Sequence, residues 1–193
     1  MVLEHRGKAP LAFENVTVVP IDEERVLPSQ TVLIEGDRIA RIGPAAELEP
    51  PDGTERIDGR GRFLMPGLFD MHVHFRDPGF GPLFVANGVT SVRNMWGELV
   101  HRNWQRRIAR LPIVAPYLYT TGPIIDGWPP IWSGSVVVTR PEDAEEEVAE
   151  QHAAGFRAIK VYDNLSAPVY EALVAAARRR GMQVVGHVPR GWP

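Results

Sequence analysis

Four residues of this 193-residue sequence are best placed to do chemistry: His72 and His74, one residue apart, Lys160 inside an apolar run, and His187 near the end. In a β-strand, positions i and i+2 share a face, so the His72 and His74 imidazoles would point the same way. Two such nitrogens can grip one cation, and neutral imidazole suits zinc and its first-row neighbours. Taken alone, a His-x-His pair is more often two structural side chains in a half-buried strand, so the surrounding elements must decide. Lys160 is flanked by Ile159, Val161 and Tyr162. A lysine in such a strand loses hydration unless it is paired or neutral, and a neutral amine is a nucleophile. Reaction with carbon dioxide would give a carbamate, with one negative charge and two oxygens able to bridge two metal ions. The alternative is a lysine that snorkels outward at a strand end. His187 by itself reads as a core histidine.

Composition narrows what such a site could be. With 44% hydrophobic residues the chain can bury a core, and its length allows one or two domains. A formal net charge of -3 gives no electrostatic footing for nucleic acid or an anionic membrane. Cysteine is absent, which excludes a disulfide framework, a thiolate zinc site and a thiol nucleophile; any metal must be held by histidine and oxygen ligands. Met1 to Pro10 carries charges and a proline, and the apolar run after it breaks at Glu14 and Asn15, the pattern of neither a signal peptide nor a membrane span. The expectation is a cytoplasmic protein acting on a small-molecule substrate, with no nucleic acid and no membrane as partner.

The elements that must position the four residues fall into two stretches. Residues 1–65 read as a small β domain. Phe13, Val16, Val18 and Val19 suggest one strand, Thr31 to Glu35 and Arg38 to Ile42 a hairpin through Gly36-Asp37, and Asp58-Gly59-Arg60-Gly61 a second hairpin-like turn. These strands are too few and short to close a large core, so the domain should lean on another element.

From Pro66 onward, residues 66–193 alternate strands and helices. Leu68 to His74 is the first strand and Val89 to Met95 the second; Glu98 to Leu111 is a helix with Val100, Trp104, Ile108 and Leu111 on one stripe, and Pro112 to Tyr119 is the third strand. Thr121 to Ser135, rich in Gly, Pro and Trp, is a long loop of the kind that carries function. Thr139-x-x-Glu142 reads as a capping box for a helix running to Gly155, and Ala158 to Tyr162 as the fourth strand. Ser166 caps a helix with Pro168 in its first turn and Val169, Leu173, Val174 and Ala177 inward, ending at Gly181 before a fifth strand, Gln183 to Val188. This rhythm indicates parallel βαβ units, and either a barrel or an open doubly wound sheet fits. In a barrel the C-terminal strand ends form the catalytic face, where His72, His74, Lys160 and His187 could converge.

At this point Pro66-Gly67-Leu68-Phe69-Asp70-Met71-His72-Val73-His74, Ile159-Lys160-Val161-Tyr162 and Val185-Gly186-His187-Val188 together resemble the metal-dependent amidohydrolase superfamily. Asn87-Gly88-Val89-Thr90-Ser91-Val92-Arg93 and Thr121-Gly122-Pro123 look most like its imidazolonepropionase-like branch, which includes prolidase-type enzymes. The resemblance covers the whole chain. It implies a β-sandwich domain followed by a (β/α)8 TIM barrel of which about five strands are present. It also implies one or two divalent metal ions, zinc foremost, with His72, His74 and His187 as ligands and Lys160 as a carbamylated bridge. His74-Phe75-Arg76-Asp77-Pro78-Gly79 is similar to the dihydroorotase and hydantoinase branch, which implies that Arg76 binds a substrate carboxylate; its ordinary alternative is a solvated loop arginine. Trp128 and Trp132 are candidate walls of a substrate pocket or packing aromatics of their loop, as is Asp126. His101 and His152 read as surface residues of helices.

About 128 residues follow Met65, where a complete barrel takes roughly 250. The superfamily's histidine after strand six and aspartate after strand eight have no counterpart before Pro193. The expectation is therefore a hydrolase of C–N bonds (non-peptide amides, cyclic amides or dipeptides) that is weak or inactive as this chain alone. It would be a shortened form, half of a split enzyme, or a homo-oligomer that borrows its closure. The alternative is a non-catalytic structural or interaction protein on the same scaffold.

Overall fold

The computed structural model describes residues 9–190 and Trp192, and these divide between Gly67 and Leu68 into two compact units. In the first unit, β1 (Leu11–Val18), β2 (Leu27–Glu35), β3 (Arg38–Pro44), β4 (Glu55–Asp58) and β5 (Phe63–Leu64) form one five-stranded sheet in the order β3-β2-β1-β4, with β5 also on β1. Alternation on β1 buries Val16 and Val18 against Val32, so one face carries the core. The β2–β3 hairpin turns at Gly36, whose φ of 62° is the left-handed conformation glycine takes freely.

The second turn corrects the sequence reading: β4 and β5 both run parallel to β1, so Asp58 to Gly61 steps the chain along an edge instead of reversing it. The step falls where β1 is bulged, at Asn15 with φ 57°. There the Gly59 N–H donates to the Glu14 carbonyl at 2.7 Å, and a Cβ on Gly59 would lie 2.6 Å from the Val16 Cβ. A sandwich has two layers; the described residues of this unit make one.

The second unit is mixed α/β. Its elements are β6 (Leu68–Val73), α1 (Gly81–Ala86), β7 (Val89–Asn94), α2 (Leu99–Arg110), β8 (Tyr117–Thr120), β9 (Ile124–Asp126), β10 (Val136–Val137), α3 (Ala144–Ala153), β11 (Ala158–Val161), α4 (Ala167–Arg179) and β12 (Gln183–Gly186). All strand pairs are parallel, in two sheets ordered β6-β7-β8 and β10-β9-β11-β12. The sheets are joined through the chain itself. Between β8 and β9 the Thr121 N–H bonds back to Asn94 of β7 at 3.0 Å, and the Gly122 N–H bonds forward to Ala158 of β11 at 2.9 Å. The strands β6, β7, β8–β9, β11 and β12 therefore lie side by side in chain order.

The third strand thus begins later than Pro112 and continues into the segment read as loop. Pro112 and Pro116 lack the N–H a ladder needs, so pairing starts only at Tyr117. The Thr139 capping box does not form either. A 3-10 turn, Pro141–Asp143, precedes α3, and Arg140 pairs with Asp143 at 2.5 Å. On α4 the inward face is Val169, Leu173, Ala176 and Ala177, and Gly181 follows at φ 63°. That face joins Val148, Phe156, Ile159 and Val161 in one apolar core. A smaller core, Val73, Phe75, Val92 and Leu118, is covered by Trp104 and Ile108 of α2. Val100 and Leu111, expected on that stripe, are 41% and 46% exposed. Among the described residues no helix is long and apolar enough to cross a membrane.

Candidate functional site

His72 is the last residue but one of β6 and His74 follows the strand, with ring centroids 5.7 Å apart. The strand is irregular between Asp70 and Val73. The backbone groups this frees from the ladder find other partners. The His72 N–H donates to the Asp70 carboxylate at 3.1 Å, and the Arg93 side chain donates to the Met71 carbonyl at 2.8 Å.

One residue on, the Phe75 backbone is clamped from both sides. Its N–H donates to Asn94 Oδ1 at 3.0 Å, and its carbonyl lies 2.8 Å from His101 Nε2. His101 Nδ1 accepts the Glu98 N–H at 2.9 Å, so Nε2 carries the proton and donates to Phe75. Asn94 Nδ2 donates to the Trp96 carbonyl at 2.8 Å and to Thr120 Oγ1 at 3.0 Å. Asn94 and His101 are buried, at 0% and 5% exposure. His101 is therefore not the surface residue its sequence context suggests, and the clamp fixes the backbone that carries His74 and Arg76.

Lys160 is the charged residue inside β11 and is 1% exposed; its Nζ lies 5.6 Å from the centre of the Tyr162 ring. The other face of that neighbourhood is His187, which stacks on Tyr162 with centroids 4.2 Å apart. His187 follows β12, and its Nδ1 lies 2.7 Å from Asp163 Oδ1. Holding Nδ1 in this way orients the ring and leaves Nε2 for a ligand.

The electrostatics tie the four residues together. Partial burial, then Lys160 and His187, push the His72 pKa below 6.5; partial burial, then His72, Arg76 and Lys160, do the same to His74. Burial, then Arg93, lowers the Lys160 amine from 10.5, with Asp163 opposing. Imidazoles and an amine held toward their neutral forms offer lone pairs, which is the chemistry a divalent cation requires of its donors. Among the described residues no three His, Cys, Asp or Glu side chains group closely enough to hold an ion, so any such site would need Lys160 within its donor set.

Of the expected substrate residues, Arg76 is exposed and its guanidinium sits 5.8 Å from the Trp96 ring centre. Trp128 is 74% exposed. Trp132 is half-exposed, lies 5.9 Å from Trp96 between centroids, and donates its Nε1–H to the Tyr162 hydroxyl at 2.9 Å. Asp126 is no pocket wall. It is fully buried and accepts backbone N–H bonds from Gly127, Ile131 and Asn164 at 2.8 to 2.9 Å. Trp96, Asn94 and His101 were not singled out from sequence. The Glu98-x-x-His101 spacing, that of an N-cap and its N3 partner, is a signal that could have found the His101 cap, though not its bond to Phe75.

No family model matches the chain. Over 92 residues it is 30% identical to the adenine deaminase of Paracoccus denitrificans, a stretch covering 45% of this chain and 15% of that relative. Over 53 residues it is 45% identical to the dihydroorotase of Staphylococcus aureus, covering 28% of this chain and 12% of the relative. Among solved structures, the bottromycin amidohydrolase superposes with a TM-score of 0.80 at 27% identity, over 94% of this chain and 39% of that one. A Xaa-Pro dipeptidase with methionine in its active site superposes with a TM-score of 0.77 at 20% identity, over 93% and 57%, a likeness of fold. The chain thus spans well under two thirds of each of these proteins. Fold and motifs together show the resemblance to the metal-dependent amidohydrolase superfamily.

Proposed function

We propose that this chain is the N-terminal portion of a metal-dependent hydrolase of C–N bonds, acting on a non-peptide amide, a cyclic amide or a dipeptide. In this reading the five parallel strands are the first five of a (β/α)8 barrel, and the five-stranded sheet is one layer of a sandwich. The observation that carries the proposal is that His72, His74, Lys160 and His187 all fall at or near the C-terminal ends of parallel strands, β6, β11 and β12, with Lys160 and His187 both lowering the His72 pKa. Strand order supports a barrel over a doubly wound sheet, because a doubly wound sheet reverses its order at a switch point and these strands do not.

The proposed ligands of a divalent cation, zinc foremost, are His72 and His74 with Lys160, as the amine or its carbamate, and His187 through Nε2, since the imidazoles do not group closely enough to hold it by themselves. Such a cation, when bound, supplies Lewis acidity for activating water and polarising a carbonyl. The chain's own part is positional. Asp163 fixes the His187 ring, and Asn94 and His101 fix the backbone beside His74.

Zinc titration of the purified chain followed by metal analysis and intact mass tests this reading. One to two equivalents retained, lost in His72→Ala, with a mass gain of one carbon dioxide removed by Lys160→Met, is the expected result. A chain that retains no zinc sinks it. The absence of a carboxylate-or-imidazole trio among the described residues favours a second reading, a non-catalytic protein on this scaffold, and a metal-free result would support that reading.

A further inference from the structure

We propose that the cleft beside His74 is a recognition pocket for an aromatic ring of the substrate, a reading that rests on the hydrolase proposal above and adds a substrate class to it. The cleft has a volume of about 240 Å³ and is lined by His74, Arg76, Trp96, Glu98, Val100 and Trp104 among others. A cavity of about 150 Å³ already admits benzene, so a phenyl-sized group fits with room for its attachment.

The chemistry of the lining selects what enters. Asn94 and His101 also line the cleft, but the Asn94 amide is engaged with Phe75, Trp96 and Thr120, and both His101 nitrogens are engaged with Glu98 and Phe75. Two charged side chains also line the cleft: the Glu98 carboxylate, which accepts the His101 backbone N–H as the cap of α2, and the Arg76 guanidinium, which lies over Trp96; a guest therefore meets ring surface and polar groups most of which already have partners. A polar guest would lose its hydration without return there. A flat apolar guest gains ring contacts instead.

The wall is also preformed. Trp96 sits edge-on to His74 at 6.1 Å, is covered by the Arg76 guanidinium, and meets Trp132, which is pinned through its Nε1–H to Tyr162. Tyr162 in turn stacks on His187. The rings thus run without a break from His74 to His187, and the loop that brings Trp132 is tied down by Asp126 and by Asn164 Nδ2 on the Pro129 carbonyl at 2.7 Å. Aromatic surface held in place and left partly open to solvent beside candidate ligands is what a recognition wall requires.

The test is a tryptophan-fluorescence titration of the full 193-residue chain, without added metal, using benzamide, cyclohexanecarboxamide and acetamide. Benzamide should quench saturably and bind about 3- to 10-fold tighter than cyclohexanecarboxamide, the range expected of a ring pair beyond simple burial, with no saturable signal from acetamide. Trp96→Leu should abolish the benzamide signal. Val100→Trp, a change at a 41% exposed helix position that the fold should accept, should block the cleft, while Trp128→Leu should leave binding intact. Cyclohexanecarboxamide binding as tightly as benzamide, or unaltered benzamide binding in a folded Val100→Trp chain, overturns the proposal. Zinc titration stays separate. Zinc without benzamide binding defeats the pocket alone, and benzamide without zinc binding defeats the metal reading alone.

Discussion

The strand that carries Lys160 is held through its other face, where Ile159 and Val161 pack with Phe156, Leu173 and Val169 in one core; around Phe75, between His74 and Arg76, the neighbours include the Asn94 amide and the His101 imidazole. One ligand candidate is placed by close packing and the others by directed hydrogen bonds. Packing tolerates changes of side-chain identity at roughly constant volume. A hydrogen-bonded clamp tolerates changes of volume poorly and changes of bonding pattern hardly at all, because each lost partner leaves a buried group unsatisfied. The two sides should therefore fail differently under mutation.

The largest effect is expected in the packed side. Leu173→Ala should cost about 2–5 kcal/mol in urea unfolding, toward the upper end because Leu173 is fully buried among many neighbours. Leu118→Ala, in the small core under α2, should fall toward the lower end because that site can relax. Equal costs would break the contrast. Next, Asn94→Leu keeps the volume but leaves the Phe75 N–H and the Trp96 carbonyl without their partner. A loss of about 2–3 kcal/mol is expected, with the Phe75 amide losing its protection in hydrogen exchange. If that amide stays protected, the clamp is not what holds it.

His101→Phe should be milder for stability, about 1 kcal/mol, but should weaken zinc binding by about 10- to 100-fold, as loss of an orienting partner does. His101→Gln, which can still donate to Phe75, should recover most of that loss. Unchanged zinc affinity in His101→Phe would leave the residue a mere helix cap.

The smallest effect concerns pH. His72 and His74 have folded-state pKa values below 6.5, so the unfolded chain takes up protons first as the pH falls through about 6.5. Metal-free stability should then decline as pH drops through that window and level off below the folded values. A His72→Gln, His74→Gln chain measured with chelator should show a flatter profile; an unchanged profile would assign the decline to other groups.

The alternation of strand and helix was legible because Val89 to Asn94, Leu99 to Arg110 and Ala167 to Arg179 carry clear periods and stop signals. The position of Lys160 was legible for the same reason: a lysine among β-branched and apolar residues stands out. His101 was not, because the stripe read from Val100, Trp104, Ile108 and Leu111 took in two apolar but exposed positions, Val100 and Leu111, and left the histidine off the buried face. Tertiary bonding to Phe75, 26 residues away, decides its orientation, and no local window contains that information. Gly59 was misread for a related reason. Asp-Gly marks a turn, but whether the chain then reverses or steps along an edge depends on the bulge in β1 it must pass.

Asp126 gives the segment after β9 a mechanical character its composition does not suggest. One carboxylate ties Gly127, Ile131 and, 38 positions away, Asn164. None of these three can swing free while the other two hold the acid in place, so the Pro- and Trp-rich stretch and the exit from β11 should open as one cooperative unit and not fray residue by residue. Their amides would then exchange with solvent at a common rate, and Asp126→Asn, which replaces one of the acceptor oxygens by a donor, should split that single opening into separate ones.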